Sequence, residues 1–124
     1  MVKIVWTEQA VSDLKDIYDY ISKDSKRYAE NQVRRIKTRT IILKTRPESG
    51  RIVPEIGFNE IRELIEGNYR IIYRIFSKDF IEILTVHHSA RDFEKKEIEY
   101  ITKHNPRSYV LLTAIGKVAV SIYF

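Results

Sequence analysis

Hydrophobic positions near the start of the chain predict a strand followed by an amphipathic helix. Lys3 to Trp6 is rich in β-branched and aromatic side chains, which favour strands. Thr7 can cap a helix, because its hydroxyl can accept a hydrogen bond from a free backbone N–H of the first turn. The helix has a single apolar face, since apolar residues recur at spacings of four, three and four. These residues are Ala10, Leu14, Ile17 and Ile21.

A second apolar face follows a short polar segment, Ser22 to Ser25. It consists of Ala29, Val33, Ile36 and Leu43. Basic residues crowd the other sides of this predicted helix, namely Arg34, Arg35, Lys37, Arg39 and Lys44. Two amphipathic helices joined by a short loop predict an antiparallel helical hairpin. Pro47 and Gly50 predict where the hairpin ends.

The pattern then changes to short alternating runs separated by turn residues. Ile61 to Ile65, Tyr69 to Phe76 and Phe80 to His87 are predicted strands, and residues 66–68 and 77–79 are predicted turns. Three alternating runs joined by two short turns indicate an antiparallel meander. Helices grouped ahead of an antiparallel sheet predict an α+β fold, with the helical hairpin packed on one face of the sheet.

The last part of the chain predicts a third helix and an extension. Ser89 to Asp92 has the spacing of a capping box, so the helix is expected to begin there and to end near His104. Its apolar face is thin and comprises Phe93, Ile98 and Ile101. We therefore divide the chain into a domain at 1–104 and an apolar extension at 105–124. Within the extension, Tyr109 to Phe124 is either an extra strand or hairpin on the sheet, or a sticky extension of non-native origin.

Composition restricts the expected cellular location of the protein and the classes of partner that it can bind. Lys and Arg number 22 against 17 Asp and Glu, giving a net charge of +5, which favours acidic protein segments or nucleic acid as partners. A charge excess without special meaning is the alternative. The chain has no cysteine, which excludes disulfides and thiolate metal sites and suits a reducing cytoplasm. It has no signal-peptide pattern and no confident membrane helix. A cytoplasmic protein without metal or cofactor is expected.

Four motifs in order resemble the RelE/ParE toxin superfamily, and its ParE-like branch in particular, over about residues 3 to 92. They are Ile4-Val5-Trp6-Thr7 with Ala10, Asp13-Leu14, Ile17 and Tyr20-Ile21; Pro47-Glu48-Ser49-Gly50-Arg51; Arg62-Glu63-Leu64 with Tyr69-Arg70-Ile71-Ile72-Tyr73; and Val86-His87-His88-Ser89-Ala90-Arg91-Asp92. The family's order of strand, two helices and meander agrees with the order read from the pattern alone.

The resemblance implies the toxin of a type II toxin–antitoxin system, also called a plasmid stabilisation system. It implies an acidic, partly disordered antitoxin that wraps the toxin, with a toxin–antitoxin hetero-oligomer as a possible assembly. The basic surface is compatible with such a partner, because a polyanionic segment gains steering and ion pairs from it. The residues we expect to bind the antitoxin or the target are Arg34, Arg35, Arg51, Arg62 and Arg70.

The resemblance leaves the target open between DNA gyrase and messenger RNA in the ribosome. Metal-free RNA cleavage needs a proton acceptor, a proton donor and cations for the phosphorane. The candidates are Arg62, Arg70 and Arg91 for phosphate, His87 or His88 for proton transfer, and Glu60 or Glu63 as proton acceptor. RelE-like enzymes resemble one another in a tyrosine or His-Tyr pair after the last strand, which this chain lacks. We therefore favour a toxin that inhibits gyrase over an enzyme that cleaves RNA. A decayed, non-toxic family member that acts only as a binding protein is the third hypothesis.

Structural explanations compete with each functional one. Arg70 lies between Tyr69 and Ile71 on a strand, where a cross-strand pairing role is equally compatible. His87 at a strand end is more often a hydrogen-bonded structural histidine than a catalyst. His87 and His88 point to opposite faces of a regular strand, so they cannot hold one metal ion together. The arginine-rich second helix has the composition of an ordinary solvated face.

Overall fold

The computed structural model describes residues 2–104 and contains a five-stranded sheet and three α-helices. The strands are β1 (Lys3–Trp6), β2 (Arg51–Ile52), β3 (Ile61–Glu66), β4 (Tyr69–Ser77) and β5 (Phe80–His88). The helices are α1 (Glu8–Ser22), α2 (Lys26–Arg39) and α3 (Lys95–Lys103). The predicted α+β class and the predicted order of strand, two helices and meander are confirmed.

Side-chain caps fix both helices of the hairpin. The Oγ1 atom of Thr7 accepts a hydrogen bond from the backbone N–H of Ala10 at 3.1 Å and donates to the carbonyl of Leu84 at 3.0 Å. The predicted cap is confirmed, and it also ties the start of α1 to β5. Ser25 caps α2 by accepting from the backbone N–H of Tyr28 at 3.1 Å, so the short polar segment ends one helix and begins the next.

The strands lie side by side in the order β1-β5-β4-β3-β2. The meander of β3, β4 and β5 is antiparallel, as predicted, whereas β1 pairs in parallel with β5 and forms one edge of the sheet. Ile72 pairs with Thr85 and Tyr73 with Ile83, which leaves Leu84 as an extra residue in β5. Such a bulge changes which side of the strand each following side chain occupies. Val86 therefore packs in the same core as Ile83.

The two faces of the sheet have separate cores. The hairpin face, which α1 and α2 cover, carries the larger one: Val2, Ala10, Leu14, Val33, Ile36, Leu43, Leu64, Ile71, Tyr73, Ile81, Ile83 and Val86. The second face is covered by α3 and by the chain between β2 and β3. Its buried apolar cluster is Val53, Ile61, Ile72, Leu84 and Ile101. The helical hairpin thus packs on one face as predicted, and the third helix packs on the other.

Gly50 and Tyr73 hold the loop that follows the helical hairpin. The hydroxyl of Tyr73, which is fully buried, donates to the carbonyl of Pro47 at 2.7 Å and accepts from the N–H of Gly50 at 3.0 Å. A Cβ atom on Gly50 would stand 2.5 Å from the carbonyl oxygen of Glu63 and 2.7 Å from the Tyr73 hydroxyl. The Pro-x-x-Gly spacing therefore serves a close approach between this loop and the sheet.

The predicted start of the third helix is wrong. The helix begins at Lys95 rather than within residues 89–92, and Glu94 and Glu97 form its capping box. The backbone N–H of Ser89 donates to the carbonyl of Asn68 at 2.7 Å, so this part of the chain is still bound to the end of the meander. Two pairs of residues have the spacing of a capping box here, Ser89 with Asp92 and Glu94 with Glu97. The hydrogen bond between Ser89 and Asn68 excludes the first pair.

Other differences from the predicted elements are small. The second helix continues as a 3₁₀-helix over Thr40–Lys44 before the loop at Pro47, and the two-residue strand β2 was not predicted. None of the helices between residues 2 and 104 is both long and apolar enough to span a membrane. The predicted extra strand or sticky extension at 109–124 lies outside the described residues.

Candidate functional site

Arg70 lies at the centre of an ion-pair cluster on the second face. Its Nε donates to Oε1 of Glu63 at 2.6 Å, and its two terminal nitrogens donate to the two carboxylate oxygens of Glu55 at 2.8 Å each. Arg51, the residue that β2 places opposite Glu63, donates to the second oxygen of that carboxylate. The cluster therefore contains two arginines and two glutamates, and its formal charges cancel.

Burial differs sharply within this cluster. The side chain of Glu63 is fully buried and that of Arg70 is 9% exposed, whereas Glu55 is 40% and Arg51 is 63% exposed. The hydrogen bonds from Arg70 lower the pKa of Glu55 to about 2, and the same bonds raise the pKa of Arg70 above its usual value. Both groups are charged throughout the physiological pH range.

His87 lies beside this cluster and is also buried, with 1% of its side chain exposed. Its Nδ1 atom is 3.1 Å from a terminal nitrogen of Arg91, and its Nε2 atom is 2.5 Å from the carbonyl oxygen of the same residue. A guanidinium can only donate, so Nδ1 accepts and Nε2 carries the proton that the carbonyl receives. The ring of Phe93 contacts both His87 and Arg70, since its centre is 4.3 Å from the His87 ring centre and 4.7 Å from the Arg70 guanidinium carbon.

Arg91 reaches from His87 to a cleft between α1 and α3. Its guanidinium is paired with Glu97 at 3.0 Å and is 54% exposed. The cleft is also lined by Asp13, whose pKa burial raises, and by Tyr100, whose pKa burial raises to about 12. The Tyr100 hydroxyl donates to Oγ1 of Thr7 at 3.1 Å, so its proton has a partner inside the protein.

Arg62 lies apart from these groups, since successive residues of a strand point to opposite faces. Its guanidinium donates to the carbonyl of Gly50 at 3.0 Å, to the carbonyl of Asn59 at 2.9 Å and to the Asn59 side chain at 2.8 Å. These bonds join the loops on either side of β2 to β3. Several of the residues singled out from the sequence therefore gather on the second face, and Arg62 does not join them. The residues that gather there are Arg51, Glu63, Arg70, His87 and Arg91.

Arg34 and Arg35 lie on α2, and Arg34 borders a groove between α2 and the sheet edge. The apolar lining consists of Ile4, Trp6 and Ile41, of which Ile41 is 54% exposed. Lys37 and Lys44 line the same groove. Lys3 and Thr7 bond toward β5, so the backbone N–H and C=O groups of Ile4 and Trp6 face away from it. Within residues 2–104, the groove thus has a strand edge without a paired strand, apolar walls and basic side chains.

The acidic partners of these arginines were mostly missed by sequence reasoning. Glu63 was named as a proton acceptor, and the structure places it beneath Arg70 and Arg51. Glu55 and Glu97 were not singled out. A glutamate between the apolar residues Ile61 and Leu64 of a strand was the available signal for Glu63, whereas no local pattern marks Glu55. Residues 2–104 contain no group of three or more carboxylates and histidines suited to a metal ion.

Comparison with known proteins gives a consistent result. Residues 4–93 match the family model of the ParE toxin of the type II toxin-antitoxin system, parDE. The chain belongs to the ParE toxin family. It is also 32% identical over 91 residues to Toxin RelE2 of Caulobacter vibrioides, an alignment that covers 73% of this chain and 99% of the relative.

A solved structure supports the same assignment. A chain described as the chromosomal ParDE TA system from P. aeruginosa superposes with a TM-score of 0.60 at 25% identity. The match covers 71% of this chain and 96% of that chain. This ParE-family protein is therefore a toxin of a type II toxin–antitoxin system, with an antitoxin as its partner. The names of the relatives include both ParDE and RelE2, so they do not decide between the two targets of the superfamily.

Proposed function

We propose that this toxin inhibits DNA gyrase and serves plasmid stabilisation in the cytoplasm, with a cognate antitoxin that neutralises it. The observation that carries the proposal is the engagement of the candidate RNA-cleaving groups inside the protein. Arg70 is bound to Glu55 and Glu63, and both ring nitrogens of His87 face Arg91. These contacts support a structural role for both residues, as the sequence alternatives allowed.

RNA cleavage by this cluster would require several of these bonds to be broken. A general base must approach the 2′-hydroxyl within hydrogen-bonding distance, yet His87 is 1% exposed. The guanidinium of Arg62 already donates hydrogen bonds to Gly50 and Asn59, so it is not free to hold a phosphate. A surface that recognises a protein target needs none of these changes, which favours the gyrase-directed function.

Ribosome-dependent RNA cleavage remains a second candidate for one reason in the structure. Arg91 is 54% exposed and shares a cleft with Asp13 and Tyr100, so one cation and two ionisable groups lie near each other there. The relative named RelE2 is a member of the same superfamily. The raised pKa of Tyr100 argues against a role for this residue as a proton acceptor at neutral pH.

The groove beside Arg34 is our proposed antitoxin-binding surface. Its apolar side chains supply buried area, its basic side chains suit an acidic segment, and the open edge of β1 can pair with an extended backbone. Arg35 is exposed on α2 and can add ion pairs at the rim, whereas Arg51 lies on β2 at the opposite edge of the sheet. Arg62 and Arg70, which we also expected to bind, would act by holding the loops and strands in place.

A supercoiling assay tests the gyrase proposal. Purified gyrase should lose supercoiling activity when this toxin is added in excess, and the cognate antitoxin should restore it. Trp6→Ala in the proposed antitoxin groove should weaken the restoration by antitoxin while leaving inhibition in place. Unchanged supercoiling with folded toxin in excess would disprove the proposal.

A translation assay tests the RNA alternative. If the toxin cuts messenger RNA in the ribosome, primer extension on a translated message should show new stops that Arg91→Gln abolishes. Absence of new stops would exclude this candidate. If neither assay responds and induced expression of the folded protein leaves growth unchanged, the non-toxic reading would stand.

A pair of matched variants tests the antitoxin surface. Ile41 in the groove and Ile65 on β3 are both exposed isoleucines, at 54% and 43%. Ile41→Glu should weaken antitoxin binding by at least tenfold, since it adds a buried, repelled carboxylate to the interface. Ile65→Glu should change binding little. Equal effects of the two substitutions would show that the groove is not the binding surface.

A further inference from the structure

The C-terminal end of α3 lies beside the edge strand β1. His104, which follows α3, has a φ of −58° and a ψ of 133°, so the backbone leaves the helix in an extended conformation. Its Nε2 atom is 2.9 Å from Oε1 of Glu82, and Glu82 is the residue of β5 that pairs with Val5 of β1. Tyr100, one turn earlier, donates to Thr7 directly after β1. The chain that follows His104 therefore starts next to β1.

The outer edge of β1 can accept another strand. The backbone N–H groups of Lys3 and Thr7 donate to carbonyls of β5 and of the turn before it, at 2.8 Å and 3.1 Å. In a parallel pair, alternate residues bond to the same neighbour, so the N–H and C=O groups of Ile4 and Trp6 point to the other side. Within residues 2–104, no strand pairs with that side. Ile4 and Trp6 also line the groove with Ile41, so an added strand would gain hydrogen bonds and apolar contacts together.

The residues after His104 have the composition of a strand. Residues 109–115, which lie outside the described part of the chain, read Tyr-Val-Leu-Leu-Thr-Ala-Ile and carry no charge. β-Branched and aromatic side chains favour strands, and Gly116 favours a turn or bulge after them. The link from His104 to Tyr109 can span about 17 Å when it is extended. A strand added outside β1 would lie about 10 Å from β5, two strand spacings away, so the link is long enough.

We propose that residues 109–115 pair with the outer edge of β1 as a sixth strand and cover the groove beside α2. A segment tethered at His104 has a high effective concentration, on the order of millimolar, whereas a separate chain must be recruited from solution. A second copy of the toxin is further disfavoured, because it would bring its own Lys37 and Lys44 against the same two residues of the first copy. The favoured occupant is therefore the chain's own segment.

Together with the proposed antitoxin surface, this pairing gives the groove two alternative occupants. The segment is uncharged, so it offers no carboxylate to Arg34 or Lys44, whereas an acidic antitoxin does. An antitoxin can therefore replace the backbone pairing of the segment and add ion pairs to it. This consequence rests on the proposed function, whereas the occupation of the groove by residues 109–115 does not.

Amide hydrogen exchange of the full-length protein, followed for each residue by NMR, tests the pairing. The amides of Lys3 and Thr7 should be protected with or without a sixth strand, because they bond to the rest of the sheet. The edge amides, those of Ile4 and Trp6, should exchange roughly tenfold or more slowly than in a variant that loses the sixth strand. Unprotected edge amides in the wild type, with Lys3 and Thr7 still protected, would overturn the proposal.

Paired proline substitutions identify the segment that protects the edge amides. Leu111→Pro combined with Leu112→Pro removes two consecutive N–H groups, one of which faces β1 in any register. Ala119→Pro combined with Val120→Pro is the matched control, since it makes the same kind of change in the apolar sequence after Gly116. The first variant should lose the protection of the edge amides, and the control should keep it.

Three further results would contradict the proposal. One is protection of the edge amides that persists in the variant with prolines at 111 and 112. Another is an equal loss of protection in the control. The third is protection that rises with protein concentration, which would assign the edge to a second copy. The amides of Lys3 and Thr7 show in each sample that the sheet is folded. The samples contain neither antitoxin nor gyrase, so a failure here is distinct from a failure of the proposed function.

Discussion

The hairpin face of the sheet is closed by apolar side chains from two long helices, whereas the second face is closed by ion pairs, ring contacts and one short helix. On the hairpin face, residues such as Ile36, Leu43 and Ile71 are fully buried. On the second face, the buried groups include Glu63, Arg70 and His87. The same sheet therefore depends mainly on apolar packing on one side, and on a smaller apolar cluster together with paired charges on the other.

This difference indicates which face of the sheet tolerates single substitutions. Apolar packing is non-directional, so its loss scales with the volume removed. A buried charge depends on one or two partners, and removal of a single partner leaves the remaining charge in a poorly solvated place. The second face should therefore be sensitive to single polar substitutions that would be harmless at the surface.

The largest effect should come from Glu63 on the second face. Glu63→Ala removes the carboxylate that both Arg51 and Arg70 contact, which should lower the free energy of unfolding by about 3–5 kcal/mol. Urea denaturation measures this change. As a control, Glu60→Ala breaks a more exposed pair at 3.3 Å and should cost about 1 kcal/mol or less. A loss below 1 kcal/mol for Glu63→Ala would contradict the comparison.

Ile71 and Ile72 compare the two apolar cores directly. They are adjacent on β4, both fully buried, and they belong to the hairpin-face core and the second-face core respectively. Each change to alanine should cost about 2–5 kcal/mol. We expect Ile71→Ala to cost more, because two long helices hold its surroundings and limit collapse into the cavity. Denaturation of both variants decides this, and a larger loss for Ile72→Ala would reverse the ranking.

Thr7 joins the two faces and should have a smaller effect. Its hydroxyl caps α1, donates to Leu84 and accepts from Tyr100 of α3. Thr7→Ala should therefore cost about 1–2 kcal/mol, at the upper end for a helix cap. Ser25→Ala removes a cap with one contact and should cost about 0.5–1 kcal/mol. Thermal unfolding of the two variants provides the comparison, which equal losses would refute.

The pH dependence due to Glu55 should be smaller than the effect of Thr7→Ala. Its pKa falls from 4.5 to about 2 on folding, so its pairing with Arg70 stabilises the protein above pH 4.5 and is lost as the pH falls toward 2. The contribution should be about 1 kcal/mol, since a carboxylate that is 40% exposed is partly screened by solvent. The stability difference between wild type and Glu55→Gln should shrink as the pH drops below 4.5. A difference that stays constant with pH would exclude this assignment.

Sequence patterns predicted the hairpin face well because its signal is local. The spacing of Ala10, Leu14 and Ile17 indicates a helix face within a few residues, and the alternation of β4 and β5 indicates a sheet. The cap at Thr7 was predicted from the same short range and is confirmed. These features depend on residues that are close together in the chain.

The second face could not be predicted in the same way because its partners are distant. Glu55 lies fifteen residues before Arg70, and nothing in that interval marks them as a pair. Strand residues such as Arg70 and His87 have the composition of a solvated face, although α3 and the loop before β3 bury them. The predicted start of α3 was wrong for a related reason, since only the contact between Ser89 and Asn68 decides between two possible caps.

The parallel pairing of β1 with β5 has a consequence for synthesis. Val5 pairs opposite Glu82, so β1, which is synthesised first, can join the sheet only after β5 has been synthesised. Contacts between such distant segments form late and slowly, because the chain between them must first be brought together. The five-stranded sheet of a nascent chain therefore remains incomplete until about residue 88 has been translated.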